Sequence, residues 1–251
     1  MFARSFLRWQ LLALAAMAGS LHAAEANVAV AANFADPIKA VASVLQKTTG
    51  HTLKITVGAT GGLYAQIKNG APFDVMLAAD TKTPAQLETD GLAQPHSRFT
   101  YATGKLVLWS ADAAKVDAQG SVLKGEDFRK LAIANPKTAP YGAAAVEVMN
   151  KLGLSAALTP KLVQGESIGQ TYNFAHTGNA EIAFVAMSQV LNEGRLKNGS
   201  MWVVPQNLYA PIQQDAVLLK RAADNEAAVA LMKLLKSDNI KTLIRSYGYS
   251  I

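Results

Sequence analysis

The chain of 251 residues contains no cysteine. That excludes a disulfide framework, a thiolate nucleophile, a CxxC metal site and a lipid-modified N-terminal Cys. Its apolar core alone must hold it together. Charge is sparse as well: 17% of residues are charged against 50% apolar, the balance of an ordinary globular protein rather than a disordered one. The formal net charge of +6 is spread along the chain. Lys151, Lys161 and Lys197 stand apart from one another, and no basic stripe with interleaved aromatics marks a nucleic-acid surface.

Catalytic motifs are equally scarce. The chain has four histidines, and His51, His96 and His176 lack metal-ligand spacing. Gly104-Lys105 is followed by Leu106, so no phosphate-binding P-loop exists. Ser121–Lys124 fits S-x-x-K and Ser237-Asp238-Asn239 fits S-D-N, but the K-T-G that should accompany them is missing, with Lys241-Thr242-Leu243 the nearest approach. Asp74 and Asp80 flank a strand, with no further group to make them an acid/base pair. A hydrolase lacks a nucleophile–base pair here, and the chain reads as a non-enzyme.

Long apolar runs are absent too: no stretch approaches the roughly 18 uninterrupted residues of a membrane-spanning helix. The N-terminus carries something shorter. Arg4 and Arg8 precede an apolar run over residues 11–18 (LLALAAMA), and small residues follow at Ala23, Ala24 and Ala26. Charge, apolar run and small side chains in that order predict a secretory signal peptide over residues 1–26, cut between Ala23 and Asn27. The remaining chain of about 225 residues is exported, and is long enough for one large domain or two lobes. Losing Arg4 and Arg8 lowers the net charge to about +4, which suits weak steering of an anion and equally an ordinary solvated surface.

Strand patterns fall at residues 27–32, 53–57, 73–79, 105–109, 131–134, 182–185 and 216–219. Helical patterns lie between them, including one opened by Pro37 and closed by Gly50, one at 143–152 stopped by Gly153, and an amphipathic one at 225–236. Such alternation predicts a mostly parallel α/β architecture. One sheet would be large for so many elements, so two lobes are expected, with the chain crossing near 102–104 and 211–213. Lobe I is then 27–103 plus 212–251, and lobe II is 104–211.

Three places share one grammar, in which a strand meets a turn of small, hydroxyl or amide residues and then a helix start. They are Ala32-Asn33-Phe34, Ala59-Thr60-Gly61-Gly62 and Pro140-Tyr141-Gly142, and Ser167-Ile168-Gly169 is a fourth helix start. A helix N-terminus exposes unpaired N–H donors and about half a positive charge. Several such ends converging make an anion site without lysine or arginine. Glycines at 61, 62, 142 and 169 would let backbone approach a ligand closely. Taken singly, each is an ordinary cap or turn.

The segments AANFADPIKAV, GATGGLYAQIKNGAPFDVMLAAD, RFTYATGKLVLW, NPKTAPYGAAAVEVM and ESIGQ with IAFVAMSQ resemble the periplasmic molybdate-binding proteins of ABC importers. The likeness runs in order from about Asn27 to the terminal SYGYSI. It implies an α/β, two-lobed type II periplasmic-binding fold with mixed, mostly parallel sheets flanked by helices. It also implies a monomer that binds molybdate and tungstate, needs no cofactor, and delivers its ligand to an inner-membrane permease with its ATPase. The positions similar to the family's ligand loops are Ala32 and Asn33, Thr60 through its hydroxyl, Tyr141 through its N–H, and Ile168 through its N–H. All would touch the oxyanion oxygens, with no direct ligation of the metal. Where some members place a tyrosine hydroxyl, this chain has Ala186, and Asn33 is the expected substitute donor.

The matched positions include no acidic residue. Molybdate near neutral pH is a fully deprotonated dianion and needs donors only, whereas a protonated phosphate oxygen would want an acceptor such as Asp. Sulfate has the same charge and shape, so a sulfate binder on the same fold is the nearest alternative. An adhesin or structural module would have no use for donor-rich loops at helix starts.

Overall fold

The structure, a computed structural model, describes residues 23–251. The signal-peptide reading therefore falls mostly outside the described residues. In chain order the elements are β1 Glu25–Ala31, α1 Ala35–Thr49, β2 Thr52–Gly58, α2 Thr60–Lys68, β3 Val75–Leu77, α3 Lys82–Thr89, β4 Phe99–Gly104, β5 Leu106–Ser110 and β6 Leu131–Ala134. There follow α4 Pro140–Lys151, α5 Ser155–Leu158, β7 Leu162–Gly165, α6 Ile168–His176, β8 Ile182–Ala186, α7 Met187–Val190, β9 Leu191–Asn192, β10 Arg195–Leu196, β11 Ser200–Val203, β12 Ile212–Leu218, α8 Glu226–Leu234 and α9 Asp238–Ser246.

Two five-stranded sheets form, in the orders β2-β1-β3-β12-β4 and β11-β5-β8-β6-β7. Each is mixed. In the first, β2, β1 and β3 are parallel, and β12 runs against both β3 and β4. In the second, β7, β6 and β8 are parallel, and β5 runs against both β8 and β11. Four strands of every five therefore share one direction. The reversed strand is in each case the first one laid down after the chain changes sheet. Only Lys105 separates β4 from β5, and residues 204–211 link β11 to β12. The two links lie side by side, since Ile212 pairs with Gly104.

Period-2 patterning explains why both faces of each sheet are covered. In β5, Leu106 and Leu108 join one apolar cluster, and Val107 with Trp109 joins another on the opposite face. In β1, Val28 and Val30 pack toward α1, α8 and α9, whereas Ala29 packs toward α2 with Leu63 and Ile67. Each sheet is thus the middle layer of a helix–sheet–helix sandwich. The cluster on one face of the second sheet also takes in Ala31, Ala32 and Ala79 from the first, so the lobes meet through small side chains.

Several elements differ from the sequence expectation. The strand predicted over 73–79 forms a regular ladder only over Val75–Leu77, although its flanks stay bonded, with Asp74 N donating to the Asn27 carbonyl at 2.8 Å and Ala78 N to the Asp215 carbonyl at 3.0 Å. β4, β7 and β11 carry no clear alternation or are too short to show it, and they form because a neighbouring strand pairs with them.

Candidate functional site

Ala31, Gly58, Ala134 and Gly165 end the parallel strands β1, β2, β6 and β7, and each strand runs within a few residues into a helix start. In open α/β sheets ligands bind in the crevice outside such carboxyl ends. Here the ends of the two sheets face each other. Ala32, Asn33, Thr60, Tyr141 and Ile168, brought from four separate turns, line one cavity together with Ala59, Ala79 and Ala139. All five candidate residues therefore come together. The cavity is small: about 10 Å³ is open to the centre of a water-sized sphere, room for about one compact body. None of its lining residues is charged.

The caps explain why donors are left over. Ser, Thr, Asn and Asp are the preferred N-caps, and alanine is among the poorest. The N-caps of α2 and α4 are Ala59 and Ala139, and the 3-10 turn Ala32–Phe34 that leads into α1 is preceded by Ala31. None of these can close the first-turn N–H groups with a side chain. Of the helix starts around the cavity, α6 alone has a polar cap, Ser167, whose hydroxyl accepts from Gln170 N at 3.3 Å and leaves the Ile168 N–H free. Neither the Tyr141 N–H nor the Ile168 N–H finds an acceptor among the described residues. Three alanines at cap positions were a signal present in the sequence.

Thr60 is 1% exposed, and its Oγ accepts the Ala79 N–H at 3.1 Å. One lone pair is thereby occupied and the rotamer held, which leaves the hydroxyl hydrogen to donate. Asn33 is 2% exposed and clamped at both ends. Its Nδ2 donates to Gln214 Oε1 at 2.8 Å and to the Tyr249 hydroxyl at 2.9 Å. Its carbonyl accepts from Ser188 Oγ at 2.7 Å and from Tyr249 at 2.9 Å. The expectation that the Asn33 amide donates into the cavity therefore meets a competitor in Gln214.

Ala186 is buried at the end of β8 and gives its N–H to Gln189 Oε1 at 2.9 Å; it is not part of the cavity lining. The Tyr141 hydroxyl accepts from Gln214 Nε2 at 3.1 Å. Burial pushes the phenols of Tyr101, Tyr141 and Tyr249 above their ordinary range, so they stay protonated near neutral pH.

The glycines act differently from expectation. A Cβ on Gly142 would run into the Ala134 carbonyl, and one on Gly61 would lie 3.2 Å from Thr138 Cα. They permit close approach of chain to chain, α4 to β6 and lobe to lobe. Gly61 N donates to Thr138 O at 2.9 Å, closing the two lobes on each other. A Cβ on Gly62, in the first turn of α2, would meet nothing within 4 Å, so no close approach depends on that glycine.

Sequence reasoning missed Gln214, Tyr249, Ser188 and Tyr101, which together fix Asn33 and Tyr141. Their partners lie up to 216 positions away in the chain, and no local pattern announces such pairings. The enzyme-like motifs come to nothing in the fold. Ser237 Oγ donates to the Leu234 carbonyl at 2.6 Å, and among the described residues no group of three or more His, Cys, Asp and Glu could hold a metal ion. Asp80 takes the N–H and hydroxyl of Thr83 at 2.8 and 3.1 Å. Burial raises its pKa, and its partners are those of a turn at the start of α3.

A two-lobed α/β molecule, with an uncharged cavity at the facing carboxyl ends of its sheets, has the periplasmic-binding-protein fold. Residues 26–250 match the family of bacterial extracellular solute-binding proteins, and the chain belongs to that family. It is 56% identical to the molybdate-binding protein ModA of Azotobacter vinelandii, over 94% of this chain and 93% of that protein. It is 53% identical to ModA of Rhodobacter capsulatus, over 95% and 91% of the two chains. Among solved structures, the Azotobacter vinelandii periplasmic molybdate-binding protein superposes with a TM-score of 0.88 at 42% identity, covering 90% of this chain and 99% of that one. These relatives are binding proteins, and this chain is likewise not an enzyme.

Proposed function

We propose that this protein captures molybdate, and tungstate with it, in the periplasm and hands it to the membrane permease of an ABC importer. The relatives named as molybdate-binding proteins support the ligand class. The observation that carries the reading is the convergence of Ala32, Asn33, Thr60, Tyr141 and Ile168 on one charge-free cavity. A tetrahedral dianion offers acceptors in every direction, and such a lining offers neutral donors. Each charge-assisted hydrogen bond is worth about 1.5–3 kcal/mol, and no buried counter-charge has to be desolvated.

Residues 27–103 with 212–251 are proposed as one lobe and residues 104–211 as the other, hinged where β4 meets β5 and where β11 passes to β12. Closure over the anion would then expel water. The β1 ladder supports signal cleavage before Glu25, since Glu25 already pairs with Thr52 and Ala26 is fully buried. The protein is expected to act as a monomer whose closed lobes dock on the permease.

Calorimetric titration of the signal-free protein with molybdate, tungstate, sulfate and phosphate tests the reading. Tight binding of the first two only is expected. Tight binding of sulfate instead would move the protein to the sulfate alternative, and binding of none would remove the anion-carrier function.

A further inference from the structure

Gln214 is fully buried on β12, shielded from solvent and standing behind the cavity rather than among the residues that line it. It sits beside an irregularity in which Gln214 pairs with Ala102 and Asp215 with Thr100, so that Tyr101 is passed over in the β4 register. Such a bulge re-aims side chains. Its amide joins both lobes: Oε1 is 2.8 Å from Asn33 Nδ2 and 3.1 Å from the Tyr101 hydroxyl, and Nε2 is 3.1 Å from the Tyr141 hydroxyl. Gly104 lies against this group, and a Cβ there would collide with the Tyr141 hydroxyl and with Gln214 Nε2. Gln214 thus grips one cavity residue from each lobe.

As the amides stand, the hydrogens do not match an anion. Asn33 spends both Nδ2 hydrogens on Gln214 and Tyr249, and its Oδ1 is buried without a partner. The single Tyr101 hydrogen is shared between the Ala78 carbonyl at 3.0 Å and Gln214 Oε1 at 3.1 Å. An unpartnered oxygen at an anion site repels the ligand, and a buried unsatisfied acceptor costs about 1–3 kcal/mol.

Turning both amides by half a turn exchanges their nitrogen and oxygen, moves no other heavy atom and repairs the count. Gln214 Nε2 then donates to Asn33 Oδ1 and to Tyr101, whose own hydrogen goes to Ala78. Tyr141 donates to Gln214 Oε1, and Tyr249 donates to Asn33 Oδ1 while Ser188 keeps the Asn33 carbonyl. The Asn33 amide hydrogens are released at the end that had no partner.

We propose that Gln214 is the positioning residue that decides which end of the Asn33 amide faces the anion. In the second arrangement Asn33 presents N–H donors to the anion and Gln214, from behind, satisfies its oxygen. Glutamine suits the role because its planar amide offers a donor to Asn33 and an acceptor to Tyr141 from one rigid group. The proposal rests on the anion-carrier reading above, and goes beyond it in making selectivity for donors depend on a residue that never touches the ligand.

Two measurements test it. In ¹H–¹⁵N spectra of the protein, the Asn33 side-chain amide is identified by its loss in Asn33→Ser, and molybdate is then added. A shift of the Asn33 NH₂ pair together with the Tyr141 and Ile168 backbone amides is expected. If the two backbone amides respond and the Asn33 NH₂ pair does not, the role of Gln214 is overturned and the carrier function stands. If none responds, the carrier reading itself fails.

The second measurement is Gln214→Glu, which offers Asn33 only acceptors and holds it in the first arrangement. Molybdate affinity is expected to fall about 10- to 100-fold. Gln214→Met, which makes no demand on Asn33 Oδ1 or Nδ2, is expected to fall less. Equal losses in the two variants, or wild-type affinity in folded Gln214→Glu, would overturn the proposal. Should either variant fail to fold, the spectra decide.

Discussion

The two lobes offer the cavity different kinds of donor. The first brings side-chain chemistry, the Thr60 hydroxyl and the Asn33 amide, each buried and held by partners of its own. The second brings backbone, the N–H groups of Tyr141 and Ile168 in the first turns of α4 and α6. A side-chain donor can be deleted by almost any substitution. A backbone donor survives every substitution except proline, and is lost only if the helix moves. In the proposed site, specificity is therefore exposed to mutation on one side of the cleft and protected on the other.

The sharpest way to break that comparison is Ile168→Pro. Proline is tolerated at the first position of a helix, and Ser167 already has the extended backbone that a following proline requires. The substitution removes one N–H and should weaken molybdate binding by about 1.5–3 kcal/mol, roughly 10- to 100-fold, in calorimetry. Ile168→Ala keeps the N–H and should stay within a few-fold of wild type. If both cost the same, the side chain matters and the backbone assignment fails.

Thr60→Val is the counterpart on the other lobe. It deletes the hydroxyl hydrogen and should cost about 1–3 kcal/mol of affinity, with Thr60→Ser close to wild type. Wild-type affinity in Thr60→Val would take Thr60 out of the site. Gly61→Ala probes closure rather than donation: its Cβ would press on Thr138 across the cleft. A loss of up to about tenfold is expected, read as slower association, since overpacking at its mild end costs about 1 kcal/mol.

The smallest effect belongs to Lys197→Ala. The Lys197–Asp36 pair spans the cleft at 3.3 Å, but its side chains are 34% and 46% exposed. Exposed pairs are worth under about 1 kcal/mol, so affinity should change by less than about fivefold and no more in high salt than in low. A larger, salt-sensitive loss would give closure an electrostatic component that the cavity itself lacks.

How much of this was legible in the chain depends on distance along it. The helix starts near Thr60 and Ile168 follow from local turn chemistry, whereas α4 starts at Pro140 rather than 143, proline being suited to the first helical position; the five candidate residues follow from those turns and from family resemblance. Their convergence was an inference about assembly, since nothing local says that Ala31 and Ala134 end strands in two sheets that face each other. Gln214 and Tyr249 could not be found at all. A glutamine upstream of the strand expected at 216–219 and a tyrosine two residues before Ile251 look like surface residues until the fold buries them.

Sequence alone therefore determined the helix starts, their missing side-chain caps and the absence of charge among the matched residues, because each depends on neighbours a few positions away. Tertiary structure decided that these ends share one small cavity, which glycines serve chain-to-chain contact, and which amide competes for Asn33. Those outcomes depend on contacts between residues far apart in sequence, and only packing of the two sheets brings them within hydrogen-bond reach.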